Sequence, residues 1–166
     1  MLKRLKFFGC KLILKGLPPM AFFKLNNTIF RLMGMKVHPS ARIWSTLKVN
    51  GILKIIIGEN TFIGDACTFT GGDSTIKIGD FCDISSSVSI VTGSHEIDKS
   101  GLRIAGKGFS KDVHIGNRVW VGYGVIILGN LSIGDNVIVA AGSVVNKSLA
   151  SNAIYGGNPA KFIKAI

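Results

Sequence analysis

Residues 115 to 145 read IGNRVWVGYGVIILGNLSIGDNVIVAAGSVV, and their spacing decides the fold. Stepping by six from Ile115 gives Val121, Ile127, Ile133, Val139 and Val145, all branched aliphatics. The following positions, Gly116, Gly122, Leu128, Gly134, Ala140 and Asn146, are mostly small or turn-forming. Four residues after each aliphatic stand Val119, Val125, Leu131, Val137, Ser143 and Leu149. A period of six is not helical; it suits a short strand followed by a tight turn. Three such units close a triangular coil of eighteen residues. Stacked coils then lie about 4.8 Å apart, each aliphatic over its counterpart.

The same register extends toward the N-terminus. Ile57, Ile63 and Phe69 form one run, and Ile78, Ile84 and Ile90 another. Phe69 and Ile78 are nine residues apart, so three extra residues are expected to bulge out around Gly71-Gly72-Asp73. Ile90 and Ile115 are twenty-five apart, which predicts a protruding loop over 96–112, just after His95. Cys67 and Cys82 fall four residues after an aliphatic, in the small inward slot, and read as core thiols. With Cys10 the count is odd and no Cys-x-x-Cys occurs. A disulfide framework or zinc site is therefore not expected, and a reducing compartment is.

Residues 1–37 precede the coils as a separate segment. Leu2, Leu5, Phe8 and Leu12, then Phe22, Leu25, Ile29 and Leu32, fit helical spacing on either side of Pro18-Pro19. Two short amphipathic helices are predicted, broken at the prolines. The opening MLKRLKFFGCKLILKG is too short and too charged to cross a bilayer, and no cleavage-site pattern follows it. The net charge of +11 is concentrated here: residues 1–58 hold eleven Lys and Arg and no acid, while 59–166 hold nine basic and nine acidic residues. Lys3, Arg4, Lys6, Lys11 and Lys15 suit either of two roles. The helices cap the open end of the prism, or they hold the protein at an anionic membrane face. The expected site of action is the cytoplasm, peripheral to the inner membrane face. Gly156-Gly157-Asn158-Pro159 marks the turn that ends the repeat.

Three stretches carry a resemblance: His114-Ile-Gly-Asn-Arg-Val-Trp-Val-Gly, Ile133-Gly-Asp-Asn-Val-Ile-Val-Ala-Ala-Gly-Ser-Val-Val and Gly157-Asn-Pro-Ala-Lys. Over residues 40 to 164 the chain resembles the hexapeptide-repeat acyltransferases, most nearly the sugar O-acetyltransferases. The resemblance implies an all-β fold, a left-handed parallel β-helix with domain bounds 38–166. It also implies a homotrimer with active sites between neighbouring prisms, acetyl-CoA as co-substrate and no metal.

By that resemblance His95, at the start of the inserted loop, matches the catalytic base. A hydroxyl does not attack a thioester unaided, and a neutral imidazole takes its proton as the new bond forms. A partner should fix the tautomer. Glu96, Asp98, Asp80, Asp83 and a backbone carbonyl are all open candidates. The Tyr123 N–H matches the donor to the developing oxyanion. Gly122 and Gly124 give the pantetheine access to the backbone or serve only as corner glycines. Trp120 should point outward, onto the acceptor, the CoA or a trimer seam. Ala140, Ala141 and Gly142 leave room for the pantetheine. Lys147 and Lys161, with Lys164 after them, match cations on the CoA phosphates. The galactoside-type enzymes carry an acceptor-binding Asn where this chain reads Phe62-Ile-Gly-Asp-Ala-Cys. Asp65, Asp73 and Glu96 are the candidates for the acceptor instead.

The leading reading is O-acetylation of a sugar hydroxyl on a surface-polysaccharide precursor. N-acetylation of a nucleotide-linked amino sugar is the alternative. A γ-type carbonic anhydrase needs three histidine ligands, but His38, His95 and His114 lack the spacing. Nucleic-acid binding is disfavoured because the repeat region is neutral and lacks interleaved aromatic and basic residues.

Overall fold

The computed structural model describes residues 2–166, with side chains from residue 7 onward. The side chains of Leu2, Lys3, Arg4, Leu5 and Lys6 lie outside the described residues. Five coils stack through parallel pairing into three flat faces. The first face carries Lys36–Val37, Ile55 to Ile57, Ile76 to Ile78, Val113–Ile115 and Leu131–Ile133. The second carries Arg42–Ile43, Phe62–Ile63, Asp83–Ile84, Trp120–Val121, Val137–Val139 and Ala153–Gly156. The third carries the start of Lys48–Ile57, the start of Thr68–Ile78, Ser89–Val91, Ile126–Leu128 and Val144–Val145.

All twelve stepped residues from Ile57 to Val145 are at most 2% exposed, so one column of branched side chains fills each inner wall. The residues two before each, such as Val113, Val119, Val125, Leu131 and Val137, are buried as well. A further coil precedes those read from the sequence. Its inward residues are Val37, Ile43 and Val49, again six apart, so the prism starts slightly before residue 38.

The corner between the first and second faces shows why the Ile-Gly-x-x signature recurs at 57, 78, 115 and 133. Gly58, Gly79, Gly116 and Gly134 sit directly over one another. A Cβ on Gly79 would lie 2.5 Å from the Gly116 carbonyl oxygen, and one on Gly134 2.7 Å from the Ser151 nitrogen. The glycine is needed for close approach and not for its backbone angles, since the left-handed residue comes two positions later. Asn60, Phe81, Arg118, Asn136 and Asn152 hold φ between 49 and 60° there. Each of the last four donates its N–H to a carbonyl of the preceding coil, at 2.8 to 3.0 Å. Side chains form a second ladder: Asp80, Asn117 and Asp135 each accept a backbone N–H from the preceding coil, at 2.6 to 2.9 Å.

Two expectations are corrected. The extra residues between Phe69 and Ile78 do not bulge out. Thr68–Ile78 is one continuous strand that pairs with Lys48–Ile57 along its length and rounds the corner between the third and first faces. A register shift near Gly51 absorbs the difference in length. The loop is also not confined to 96–112. It is an antiparallel hairpin, Gly93–Ile97 with Ala105–Ser110, which leaves at that same corner.

Helices α1 (Leu2–Gly16) and α2 (Phe23–Leu32) lie on the first coil. Asn26 and Asn27 on α2 are buried and donate to the carbonyls of Ile43 (3.0 Å) and Ala41 (2.7 Å); Arg31 donates to that of Val37 (2.9 Å). Three carbonyls on the first coil's edge are thereby satisfied by side chains. The docked residues are Cys10 and Leu14 on α1, and Ile29 and Phe30 on α2. The apolar positions picked from the sequence are mostly on the other side: Phe8, Leu12, Phe22, Leu25 and Leu32 are exposed. At the far end Lys161–Ala165 pairs antiparallel with Ala153–Gly156.

Replacing Ile84, fully buried between Ile63 and Val121, by Ala should cost about 2–5 kcal/mol, read by chemical denaturation. Cys67 and Cys82 are fully buried free thiols. Burial pushes the Cys67 thiol up to about 11 and raises that of Cys82. The folded state thus favours the neutral thiol. Its contribution is complete below the ordinary value of 9.0 and is lost as pH rises toward 11. Native protein should resist iodoacetamide at about pH 8, whereas the unfolded chain should take up three equivalents.

Candidate active site

His95 stands on the outgoing arm of the hairpin, opposite Gly108 on the return arm. A Cβ at 108 would lie 3.6 Å from the imidazole Cε1, so the ring covers that glycine. His95 Nδ1 is 2.8 Å from the Gly106 carbonyl oxygen. A carbonyl only accepts, so Nδ1 is the donor, and in the neutral ring the lone pair is on Nε2. None of the four carboxylates considered for this task makes the contact. Glu96 is exposed beside His95 on the same arm. Asp98 turns onto its own loop and accepts from the N–H groups of Ser100 (2.9 Å) and Gly101 (2.8 Å), which hold its carboxyl below the usual range. Asp80 accepts from the Glu59 N–H. Asp83 lies on the second face, against Trp120. The sequence offered no side-chain signal for Gly106, because its contribution is a backbone oxygen.

The cleft containing His95 is lined by Asn50, Thr70, Asp73, Ser94 and Phe109, with glycines between them. Asp73 therefore shares the cleft with His95. Asp65 does not: it sits at the corner between the second and third faces, where it accepts from the Thr46 hydroxyl at 2.6 Å.

That second corner holds the other candidates. Its left-handed positions run Ala66, Ser87, Gly124 and Gly142. Around the first of these the backbone is satisfied, since Asp65 N bonds to Ser86 and Ala66 N to Thr46. In the last two coils the glycines leave open space beside them. There the N–H groups of Tyr123 and Ala141 enter no hydrogen bond among the described residues. Gly122 has a different reason for being glycine. A Cβ on it would lie 2.6 Å from the Ala141 nitrogen, so it is a stacking glycine. Ala140 packs against Gly156, which is paired with Lys161, so Ala140, Gly142 and Lys161 gather at this corner. Lys147 is exposed one turn further on, past Val144–Val145.

Trp120 points outward from the second face and is 54% exposed. It shares a shallow cavity with Phe81, Asp83 and Arg118. Phe81 and Arg118 were not singled out in the sequence. Both are left-handed corner residues (φ 56 and 54°), a costly place for a large side chain, and Phe81 is exposed as well. Within one chain, then, His95 and Asp73 belong to one corner and Trp120, Tyr123, Gly124 and Ala141 to another face and corner. Within a single chain the hairpin therefore does not face Trp120 to Gly124. The three histidines are likewise apart, and no metal-ligand cluster forms among the described residues.

The family model described as bacterial transferase hexapeptide (six repeats) matches residues 112–147. A maltose O-acetyltransferase from Clostridium difficile 630 is 31% identical with a TM-score of 0.74, over 99% of this chain and 88% of that one. The chain belongs to the hexapeptide-repeat transferases. Their left-handed parallel β-helix is the prism described above. A galactoside acetyltransferase solved with coenzyme A superposes with a TM-score of 0.80 at 27% identity, over 99% of this chain and 80% of that one. The putative colanic acid biosynthesis acetyltransferase WcaF of Escherichia coli is 29% identical over 147 residues, 88% of this chain and 78% of that protein. The chain spans about half the length of the curated relatives it first matches.

The two glycines of the second corner should respond differently to alanine. Gly122→Ala should lower the melting temperature by several degrees through the clash with Ala141. Gly124→Ala meets no atom and carries only the strain of its φ of 66°, about 1 kcal/mol.

Proposed function

We propose that the protein transfers an acetyl group from acetyl-CoA to a sugar hydroxyl on a surface-polysaccharide precursor in the cytoplasm, with His95 as general base. The observation that carries the reading is the His95–Gly106 contact: it holds the ring through Nδ1 at an open cleft, which leaves Nε2 as the nitrogen that can take a proton. Family membership supplies the reaction class. The similarity to WcaF, across most of both chains, favours a glycan acceptor.

In this mechanism Nε2 takes the acceptor hydroxyl proton while that oxygen bonds to the thioester carbon. The negative charge moves to the carbonyl oxygen, where the free Tyr123 N–H receives it. The C–S bond then breaks, and the proton on Nε2 passes to the departing thiolate. Asp73, which shares the His95 cleft, orients acceptor hydroxyls, and Glu96 is a second candidate beside it on the hairpin. The open Gly124 and Gly142 corner and the Ala141 N–H accommodate the pantetheine. Lys161 and Lys147 neutralise phosphate as point charges.

Since His95 and the Tyr123 corner are separated within a chain, the complete site lies between protomers of a homotrimer. One protomer gives the hairpin and its neighbour the Trp120–Gly124 surface. Light scattering should report three times 17.7 kDa. A monomer with full activity would overturn the composite site. His95→Ala should lower kcat by about 10²–10⁴-fold in acetyl-CoA turnover with glycan acceptors, leaving the CoA KM little changed. Undiminished turnover would remove His95 from the mechanism. An amino-sugar acceptor assayed in parallel separates O- from N-transfer; an N-acyltransferase product would replace the hydroxyl reading.

A further inference from the structure

Helix α1 has two apolar faces, and only one is used. Cys10 and Leu14 are buried against the first coil. Phe8 and Leu12 on the opposite side, and Ile13 on the flank, are 54 to 60% exposed. In the turn Met20 and Phe22 are at least 60% exposed, and Leu25 on α2 is exposed as well. Large apolar side chains left exposed on one helix and rimmed by basic residues mark an interaction surface. Phe22 adds an independent observation. It sits at φ 57° at the start of α2, so a strained backbone holds a phenyl group outward.

Lys11, Lys15 and Lys24 flank these side chains, and no acidic residue occurs anywhere before Glu59. Symmetric docking of two copies through this surface would press like charges together with no acid to offset them. An anionic bilayer satisfies both halves of the pattern, because the apolar side chains enter the acyl boundary and the lysines meet the headgroups. No described helix is long and apolar enough to cross a membrane, which fits surface docking.

The position of this surface relative to His95 gives it meaning. The apolar groove beside α1 is lined by Phe7, Phe8, Met33 and Met35 and runs to Gly51 and Ile52. Gly51 also lines the His95 cleft, at the corner from which the hairpin leaves. The hairpin that carries His95 therefore leaves the prism about two coil spacings, roughly 10 Å, from the helix-bearing coil.

We propose that α1, the turn after it and the start of α2 dock the protein on an anionic bilayer surface, so that His95 faces substrates held there. Binding itself does not depend on the acyl-transfer reading. The test is sedimentation of the full chain with vesicles of phosphatidylcholine alone and with vesicles containing phosphatidylglycerol, at low and high salt. Binding is expected only to the anionic vesicles, and high salt should weaken it. Each lysine near such a surface contributes about fivefold to partitioning. Lys11→Gln/Lys15→Gln/Lys24→Gln should therefore lose at least tenfold, as should Leu12→Glu/Ile13→Glu. Leu12, Ile13, Lys15 and Lys24 are exposed and Lys11 is half-buried, with its ammonium over the Phe7 ring, so melting temperature and acetyl transfer to a soluble acceptor should be retained. Absence of binding to anionic vesicles, or binding unchanged in both variants, would overturn the proposal. So would a fall in oligomer mass in Leu12→Glu/Ile13→Glu, which would make the surface a seam between copies. A dead enzyme that still binds vesicles would count against the catalytic reading alone.

Discussion

Coil stacking at a spacing that leaves no room for a Cβ governs this molecule. At the first corner the constraint puts Gly58, Gly79, Gly116 and Gly134 in one column, each too close to the next coil for any other residue. The tight turn then needs a left-handed residue two positions on, which Asn, Phe and Arg fill at some cost. Backbone and side-chain ladders repay that cost coil by coil. The interior follows with little further instruction, since identical turns bring identical inward positions into register and branched aliphatics fill the space.

The candidate chemistry lies where this regularity is relaxed. At one corner the strands lengthen, and the coil lets out a hairpin whose glycine-backed histidine is anchored by a backbone carbonyl. At the next corner the left-handed residues of the last two coils are glycine, and the N–H groups of Tyr123 and Ala141 have no partner among the described residues. A prism built by repetition can lose a few bonds at one corner, because each coil is held mainly by its neighbours. The proposed division of labour between protomers follows from these departures falling on different corners.

Much of this was legible in the sequence, for identifiable reasons. The period of six located the twelve stepped inward residues from Ile57 to Val145, because burial in a stack is set by position along the chain. Val37, Ile43 and Val49 carry the same spacing, but the long strand after Val49 obscured their register. The partner of His95 was hidden because a carbonyl has no residue type. Asp65 and Asp73 looked equivalent, yet a strand that rounds a corner separates them. The helices misled most. Helical spacing identifies an apolar stripe but not which of two stripes docks, and here Cys10, Leu14 and the amides of Asn26 and Asn27 meet the coil.

Those two amides have a wider consequence. An unfinished β-helix coil is a row of free carbonyls and N–H groups that can template another strand. Asn26, Asn27 and Arg31 occupy that row at one end, and the returning strand Lys161–Ala165 covers the second face at the other. The fold thereby sets its own length. Without such stoppers, the repetition that makes the prism easy to encode would also make it a seed for end-to-end filaments.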